Sequence, residues 1–462
     1  MTTSAVAPEP MLLVSGKLCL VQFASHDVYR DTASQTRYNH DWLDDNADGD
    51  LLDEGDVRAP VCCTCDEDVE VTVVSIIYPS QISLTNAVIR GRVNGEVVYT
   101  GTNLTQDQTF DGKFDVRSTT FTGMMNAPST IEVWNDLSIS WAVEYTTMLN
   151  THPGGTSTND FFFVLRDPPA GWKLLHTVLT LACFGGEGLD LSQPELVAEG
   201  IFDLFTKLNV KRAEDQEELA YYGSWMTPWS DYLELVKERD ANCFAWADLY
   251  VKCLLAAGLG DPNTDGAIYK VQFKYNRVGL GGPSAWMFVK DWTPAQSRTP
   301  DQYDNDFPDQ GDAFPHLNIP VQTYPTAFYT NDQYNWHANF ADFTDQAGDA
   351  GQNEPDPASL FTDHVVVRYG DVLFDPSYGK RYNVPQGATG NDILAPIDAV
   401  MDGYGLGYLN SPLLWLNEAD LNVDLGPPAG IQDMYVQTKC FIIMENPAGN
   451  QLAVHSTTPQ SR

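Results

Sequence analysis

The sequence predicts a protein of the α+β class, with a strand-rich first part and a second part in which helices precede further strands. Three observations support this. In VIRGRVNGEVVYTG, Asn94-Gly95 stands between alternating apolar residues, which is the pattern of a two-residue β-hairpin. Between residues 195 and 257 apolar residues recur at helical intervals. After residue 267, β-branched runs such as AIYKVQFKY and HVVVRYG indicate strands again.

The chain has 462 residues, which is enough for two or three domains. The changes of pattern predict three parts. Residues 1–66 form an acidic, irregular N-terminal segment, residues 67–190 a β-sandwich domain, and residues 191–462 a core of helices and antiparallel strands. A polar stretch rich in Asp, Pro, Gln and aromatic residues, 291–360, is a long insertion in that core. Loops of such length are functional or are mobile surface insertions.

The net charge of −37, from 63 acidic and 26 basic residues, argues against nucleic acid or an anionic membrane as a partner. Apolar runs stay below the length of a membrane span, so we expect no transmembrane helix. The N-terminus lacks the basic region of a secretory signal peptide. We therefore expect a cytoplasmic location by default, with an extracellular one left open, and the sequence does not predict the oligomeric state.

The segment RDANCFAWADLYVKCLLAAGLGD, residues 239–261, predicts a buried helix with a cysteine in its first turn. Asn242 is a good N-cap and Gly258 a good C-terminal stop, which makes Cys243 the first helical residue. Unpaired N–H groups and the positive end of the helix dipole favour a thiolate there. Cys253, in the middle of the same helix, lacks these advantages. The alternative for Cys243 is an ordinary buried core cysteine.

A thiolate nucleophile needs a base and a group that orients the base. His364 begins HVVVRYGDVLFDPSYG, which predicts two strands around a tight turn. With Tyr369-Gly370 as the central residues, His364 directly opposes Asp375; with Gly370-Asp371 central, the two residues are diagonal neighbours. Both turns place His364 and Asp375 on one face of the hairpin, whereas a three-residue loop would separate them. A surface histidine near a turn aspartate is the alternative.

Taken in order, ANCFAWADLYVKCLLAAGL and DHVVVRYGDVLFDPSYG resemble the transglutaminase-like superfamily of papain-like cysteine enzymes. The family has its nucleophilic cysteine at the start of a buried helix, followed by histidine and aspartate on adjacent strands. The resemblance covers about residues 195–440 and implies a catalytic triad of Cys243, His364 and Asp375. Where the family often has glycine two residues before the cysteine, this chain has Ala241. The resemblance also implies a β-sandwich ahead of the catalytic core.

The implied reaction is acyl transfer or hydrolysis at an amide bond of a protein or peptide substrate, with no cofactor required for the chemistry. The Cys243 N–H would be one oxyanion donor. The second donor is not identified, because Trp225 and Trp229 are more often core residues than donors. If water is the acyl acceptor, the enzyme is a peptidase or amidase. If an amine is the acceptor, it is a transglutaminase. The alternative to an enzyme is a structural or surface-assembly protein that uses the same fold as a binding module.

Two further patterns could bind metal. DDNADG places Asp44, Asn46 and Asp48 at the alternating spacing of a Ca²⁺ loop, with Asp50 as a further ligand, and DPNTDG repeats the spacing at 261–266. Both lack the glutamate that completes an EF-hand loop, and acidic surface turns are the alternative. CCTC, at Cys62, Cys63 and Cys65, lacks a second cysteine or histidine pair nearby, so we expect free or buried thiols there.

Overall fold

The computed structural model describes residues 14–260 except 33, 49–50, 52, 54, 147–149 and 222–229; further along the chain it describes 268–277, 286–288, 350–354, 360–361, 363–383, 414–416, 438–445 and 451–457. The chain divides into two compact units. The first contains residues 1–30, 35–179 and 187–190, and the second contains 31–34, 180–186 and 191–462. The main division between the two units lies at residues 190 and 191.

The first unit contains strands β1 to β16. Their bounds are β1 Lys17–Phe23, β2 Val28–Tyr29, β3 Trp42–Leu43, β4 Val57–Arg58, β5 Val61–Thr64, β6 Asp68–Val69, β7 Val71–Tyr78, β8 Ala87–Val93, β9 Glu96–Thr102, β10 Thr105–Gln108, β11 Phe114–Ser118, β12 Thr120–Thr122, β13 Met125–Asn126, β14 Glu132–Tyr145, β15 Thr151–Val164 and β16 Leu174–Leu175.

Two six-stranded sheets build the first unit, in the orders β10-β11-β7-β1-β3-β4 and β12-β9-β8-β14-β15-β5. Neighbouring strands in them are antiparallel except β15 and β5, which are parallel. Buried side chains from both sheets form one hydrophobic core, and its largest members are Tyr78, Tyr99, Trp141, Phe161 and Phe163. Two sheets that share one apolar core form a β-sandwich, as the alternating apolar pattern predicts.

The N-terminal segment differs from the expectation of an irregular stretch over residues 1–66. Strand β1 lies inside the first sheet and pairs with β7 on one side and β3 on the other. Strand β5 forms the edge of the second sheet. The sequence pattern missed β1 and β5 because their pairing partners β7 and β15 are distant in sequence.

The described residues contain four helices, α1 His176–Gly186, α2 Pro194–Phe205, α3 Tyr232–Glu238 and α4 Cys243–Ala256. The strands of the second unit are β17 Ala220–Tyr221, β18 Asp240–Ala241, β19 Ile268–Arg277, β20 Trp286–Phe288, β21 Leu360–Phe361, β22 Asp363–Tyr369, β23 Val372–Asp375, β24 Lys380–Asn383, β25 Leu414–Leu416, β26 Thr438–Glu445 and β27 Gln451–Thr457.

The second unit is built around helix α4, which packs against strands β22 and β19 of a six-stranded antiparallel sheet. The order of that sheet is β24-β23-β22-β19-β26-β27. Twelve of the fourteen residues of α4 are buried, which explains why its sequence is apolar on every face. Helix and antiparallel sheet are therefore in contact within one unit, and the α+β class is confirmed.

The C-terminal end of α4 is closed as the sequence predicts. Gly258 has φ +94°, a conformation that glycine adopts without steric cost. The Gly258 N–H donates to the Leu255 carbonyl at 3.1 Å, and the Leu259 N–H donates to the Leu254 carbonyl at 2.9 Å. These two bonds form a Schellman motif and satisfy the last carbonyl groups of the helix. Among the residues that the structure describes, every helix is too short or too polar to cross a membrane.

Gly379 ends the DPSYG segment and touches the C-terminal end of α2. Its φ is +62°, and a Cβ at this position would lie 2.7 Å from the Phe205 carbonyl oxygen. Gly370 has a similar φ of +56°, but a Cβ there would meet no atom within 4 Å among the described residues. The two glycines therefore separate the cost of a left-handed backbone from the cost of a steric clash.

We predict that Gly370→Ala lowers the free energy of unfolding by about 1–2 kcal/mol, the cost of the backbone conformation alone. Gly379→Ala should lower it by about 1–3 kcal/mol more, because the new methyl group overlaps backbone atoms. Urea unfolding of the two variants measures the difference. Equal losses in both variants would contradict the close packing of Gly379 on α2.

Candidate active site

Cys243 is the first residue of α4. The Asn242 side-chain oxygen accepts a hydrogen bond from the Phe244 N–H at 3.0 Å, and Asn242 has the extended backbone of an N-cap. The predicted N-cap is confirmed. The thiol therefore lies at the end of the helix where backbone N–H groups and the helix dipole stabilise negative charge. Cys243 is buried, with 2% of its surface exposed.

The hairpin of β22 and β23 sets the positions of His364 and Asp375. Its pairs run from Val367 opposite Phe374 to Tyr369 opposite Val372. Gly370-Asp371 are therefore the two central residues of the turn, which is the second of the two registers that the sequence allows. In this register Asp375 is diagonal to His364 on the same face.

The structure brings the three predicted catalytic residues together. His364 Nε2 lies 2.5 Å from Asp375 Oδ2, and both side chains are fully excluded from solvent. Cys243 also raises the pKa of the His364 imidazole, which indicates that the thiol lies within interaction range of the ring. The imidazole is thus bound to the carboxylate and influenced by the thiol, an arrangement that can move a proton to and from sulfur while the ring is held in orientation.

Asp375 is held in place by the turn that follows it. The Asp375 Oδ1 atom accepts hydrogen bonds from the backbone N–H groups of Ser377 at 3.0 Å and Tyr378 at 3.3 Å. Such a turn, in which a side-chain oxygen binds N–H groups two and three residues on, is typical of aspartate. One carboxylate oxygen is therefore fixed by the backbone and the other faces His364.

Two buried tyrosines pack beside the imidazole. The Tyr378 ring lies 5.9 Å from the His364 ring, and the Tyr221 ring meets Tyr378 edge-on at 5.1 Å. These rings keep water from the His364–Asp375 pair, which strengthens the electrostatic interaction between them. Sequence reasoning missed both tyrosines, although Tyr378 lies within the DPSYG segment.

The pKa of His364 reflects these contacts. Burial is the largest influence and lowers the pKa. The charge and hydrogen bond of Asp375, followed by those of Cys243, outweigh burial and raise the pKa from 6.5 to about 10. Protonated His364 is therefore the favoured form beside the two acidic groups.

Cys253 provides a comparison within the same helix. It is fully buried, and burial raises the pKa of its thiol far above the ordinary value. Cys253 lies in the middle of α4, away from the N-terminal N–H groups, and its thiol is expected to stay protonated and inert.

Other predicted sites have different outcomes. Trp225, Trp229 and the DPNTDG loop at 261–266 lie outside the described residues, as does most of the insertion 291–360. Cys62, Cys63 and Cys65 are buried, as expected, and burial raises the pKa of Cys63 and of Cys65 to about 12.

The proposed calcium loop is compact. The Asp48 N–H donates to Asp44 Oδ1 at 3.2 Å and to Asn46 Oδ1 at 2.8 Å, so the three side chains belong to one turn. Asp50 lies outside the described residues. In the part of the chain that the structure describes, no group of three or more His, Cys, Asp or Glu side chains is arranged to hold a metal ion. Calcium binding by Asp44, Asn46, Asp48 and Asp50 stays a prediction.

The chain was compared with family models, curated proteins and solved structures. None of them matches it. The function must therefore be argued from the geometry of the site.

The stabilising effect of His364 should depend on pH. Because folding raises its pKa, protonated His364 stabilises the folded state fully below pH 6.5, and this contribution is lost as pH rises towards about 10. In a Cys243→Ala background, which removes the neighbouring thiol from the comparison, we compare His364 with His364→Gln. The difference in unfolding free energy should shrink with rising pH by about 1.4 kcal/mol per pH unit. Urea unfolding at pH steps across the interval tests this, and a difference that is constant or grows with pH would contradict it.

The calcium prediction has a direct test. A site in the folded protein raises the melting temperature by mass action, so about millimolar Ca²⁺ should stabilise the wild type. Asp48→Ala should remove this response. Asp111→Ala, in an acidic turn at another place in the same unit, should retain it. Calorimetry that detects no binding heat, together with an unchanged melting temperature, would show that the loop is only an acidic turn.

Proposed function

We propose that the second unit is a transglutaminase-like catalytic core and that the protein performs acyl transfer or hydrolysis at amide bonds through Cys243, His364 and Asp375. One observation carries the proposal. A fully buried imidazole is hydrogen-bonded to an aspartate, and its pKa is raised by a cysteine in the first turn of a helix. A histidine that serves only packing does not need this combination of partners.

In the first step the Cys243 thiolate attacks the carbonyl carbon of the amide. His364 Nε2 is occupied by Asp375, which leaves Nδ1 to exchange a proton with sulfur and then with the leaving amine. The C–N bond breaks as the amine takes the proton, and a thioester forms at Cys243. The Cys243 N–H, at the helix N-terminus, is the proposed donor to the oxyanion.

In the second step an acceptor attacks the thioester, and His364 removes the acceptor's proton and returns to its protonated form. The C–S bond breaks as the new bond to the acyl carbon forms, and Cys243 leaves as the thiolate. Water as the acceptor gives hydrolysis, whereas a primary amine gives transamidation. Asp375 does not exchange protons in this scheme. It holds the ring orientation and stabilises the imidazolium in both steps.

A substrate must reach a sulfur that is 2% exposed. Strand β18 leads through Asn242 directly to Cys243, and its residue Asp240 lines a surface cleft of about 640 Å³ together with Ala220 of β17. This volume is within the range of ligand-binding clefts, about 300–1,000 Å³. The proposed route for a peptide substrate starts at this cleft, and local opening of residues around Cys243 is needed before attack.

Selective labelling of Cys243 tests the proposal. Near neutral pH, iodoacetamide should modify Cys243 faster than any other cysteine in the folded protein, because the helix N-terminus and the imidazolium stabilise the thiolate. His364→Gln should slow the reaction by about 100-fold, the lower end of what a positioned acid–base group contributes. Mass spectrometry after limited labelling measures the rate at each cysteine.

Cys253→Ala is the matched control, since it removes a buried thiol from the same helix. It should leave the labelling of Cys243 unchanged, whereas Cys243→Ala should remove the fast phase. The same variants are then tested for ammonia release from glutamine-containing peptides and for incorporation of a fluorescent primary amine. Equal labelling of Cys243 and Cys253 in the wild type would overturn the proposal and favour a binding module.

A further inference from the structure

Gln352 belongs to a short described segment, residues 350–354, near the end of the predicted insertion. Its side chain is fully buried. The Gln352 Nε2 group donates to the carbonyl oxygens of Phe205 and Pro376, each at 2.7 Å. A residue from an acidic, polar stretch is therefore inserted between the C-terminal end of α2 and the turn that follows Asp375.

The orientation of the Gln352 amide is fixed by its surroundings. Nε2 faces two carbonyl oxygens, and Oε1 has no hydrogen-bond partner among the described residues. Exchange of the two atoms would place an oxygen against two acceptors. Leaving a buried acceptor unpaired is unfavourable, so the two donated bonds are retained in spite of a local penalty at Oε1.

The backbone of Gln352 contacts the same turn. Its N–H donates to the Ser377 carbonyl at 3.0 Å, and its carbonyl accepts from the Tyr221 N–H at 2.9 Å. Gln352 thus binds the two carbonyl groups that follow Asp375 directly, those of Pro376 and Ser377. The opposite sides of the same two peptide units carry the N–H groups of Ser377 and Tyr378, which hold the Asp375 carboxylate.

We propose that Gln352 is a positioning residue for the Asp375–His364 pair: by fixing the Pro376 and Ser377 carbonyls against α2, it sets the direction of the Asp375 carboxylate. The catalytic role of Gln352 rests on the proposed function. Its effect on the geometry of the Asp375–His364 pair can be tested without catalysis. A catalytic group must be held within about 0.5 Å of its productive position, and a free turn on the surface of α2 would not provide this.

Asn353, the next residue, offers a matched control. Its Nδ2 group also donates to two backbone carbonyls at 2.7 Å, those of Val210 and Leu219. Neither carbonyl belongs to the turn that holds Asp375. Asn353 has φ +49°, a conformation that glycine tolerates, so Asn353→Gly removes the two bonds without straining the backbone.

The experiment compares Gln352→Met, which keeps length and removes both donated bonds without adding charge, with Asn353→Gly. The readout is the titration of His364, followed by NMR of the full-length protein labelled at histidine, with His364→Gln used for assignment. We expect Gln352→Met to lower the pKa of His364 by about 1 unit or more, the lower end of the effect of a neighbouring opposite charge. Asn353→Gly should leave the titration of His364 unchanged even if it lowers the melting temperature as much as Gln352→Met does.

Gln352→Asn keeps the amide but is too short to reach both carbonyls, and it replaces Gln352→Met if that variant does not fold. An unchanged His364 titration in the Gln352 variants, or an equal shift in Asn353→Gly, would overturn the positioning role. Labelling of Cys243 in the wild type is measured in parallel. If Cys243 is unreactive there, the proposed catalysis fails, while the NMR comparison still decides the role of Gln352.

Discussion

The hydrogen bond between His364 and Asp375 removes two ionisable groups from water, and the surrounding structure of the second unit compensates for this loss of hydration. Two backbone N–H groups bind Oδ1 of Asp375, and the imidazole binds Oδ2. A buried ion pair is favourable only when its geometry is good and its remaining acceptors are satisfied. The turn after Asp375 therefore has to be rigid, which explains why Gly379 is pressed against α2 and why a buried glutamine holds the turn carbonyls.

Features that depend on neighbouring residues could be predicted from the sequence. Asn94 and Gly95 both have positive φ, and Val93 pairs with Glu96 across them, as a two-residue hairpin requires. The N-cap at Asn242 and the stop at Gly258 follow equally local rules. The hairpin that carries His364 can be predicted in the same way, because the two central residues of its turn determine which side chains lie on the same face. The catalytic role of these side chains is a separate matter, and it remains a proposal.

Features that depend on distant residues could not be predicted. Strand β1 is positioned by its pairing with β3 and β7. The residue pattern of β1 alone does not distinguish it from an irregular segment. Gln352 and Phe205 are separated by 147 positions, and the intervening sequence contains most of the predicted insertion. No periodicity connects such residues. The DPSYG segment did contain a usable signal, since aspartate followed by proline and two further residues favours a turn in which the carboxylate binds N–H groups.

The two cysteines of α4 show why position decides reactivity in this core. Both thiols are buried, and burial alone favours the neutral form, as the raised pKa of Cys253 shows. Low polarity also strengthens every charge interaction that remains. At Cys243 those interactions are favourable, because the helix N-terminus and a protonated His364 lie beside the sulfur. The same apolar surroundings therefore suppress ionisation ten residues along the helix and, in the proposed mechanism, support a thiolate–imidazolium pair at its start, where Asp375 keeps His364 protonated.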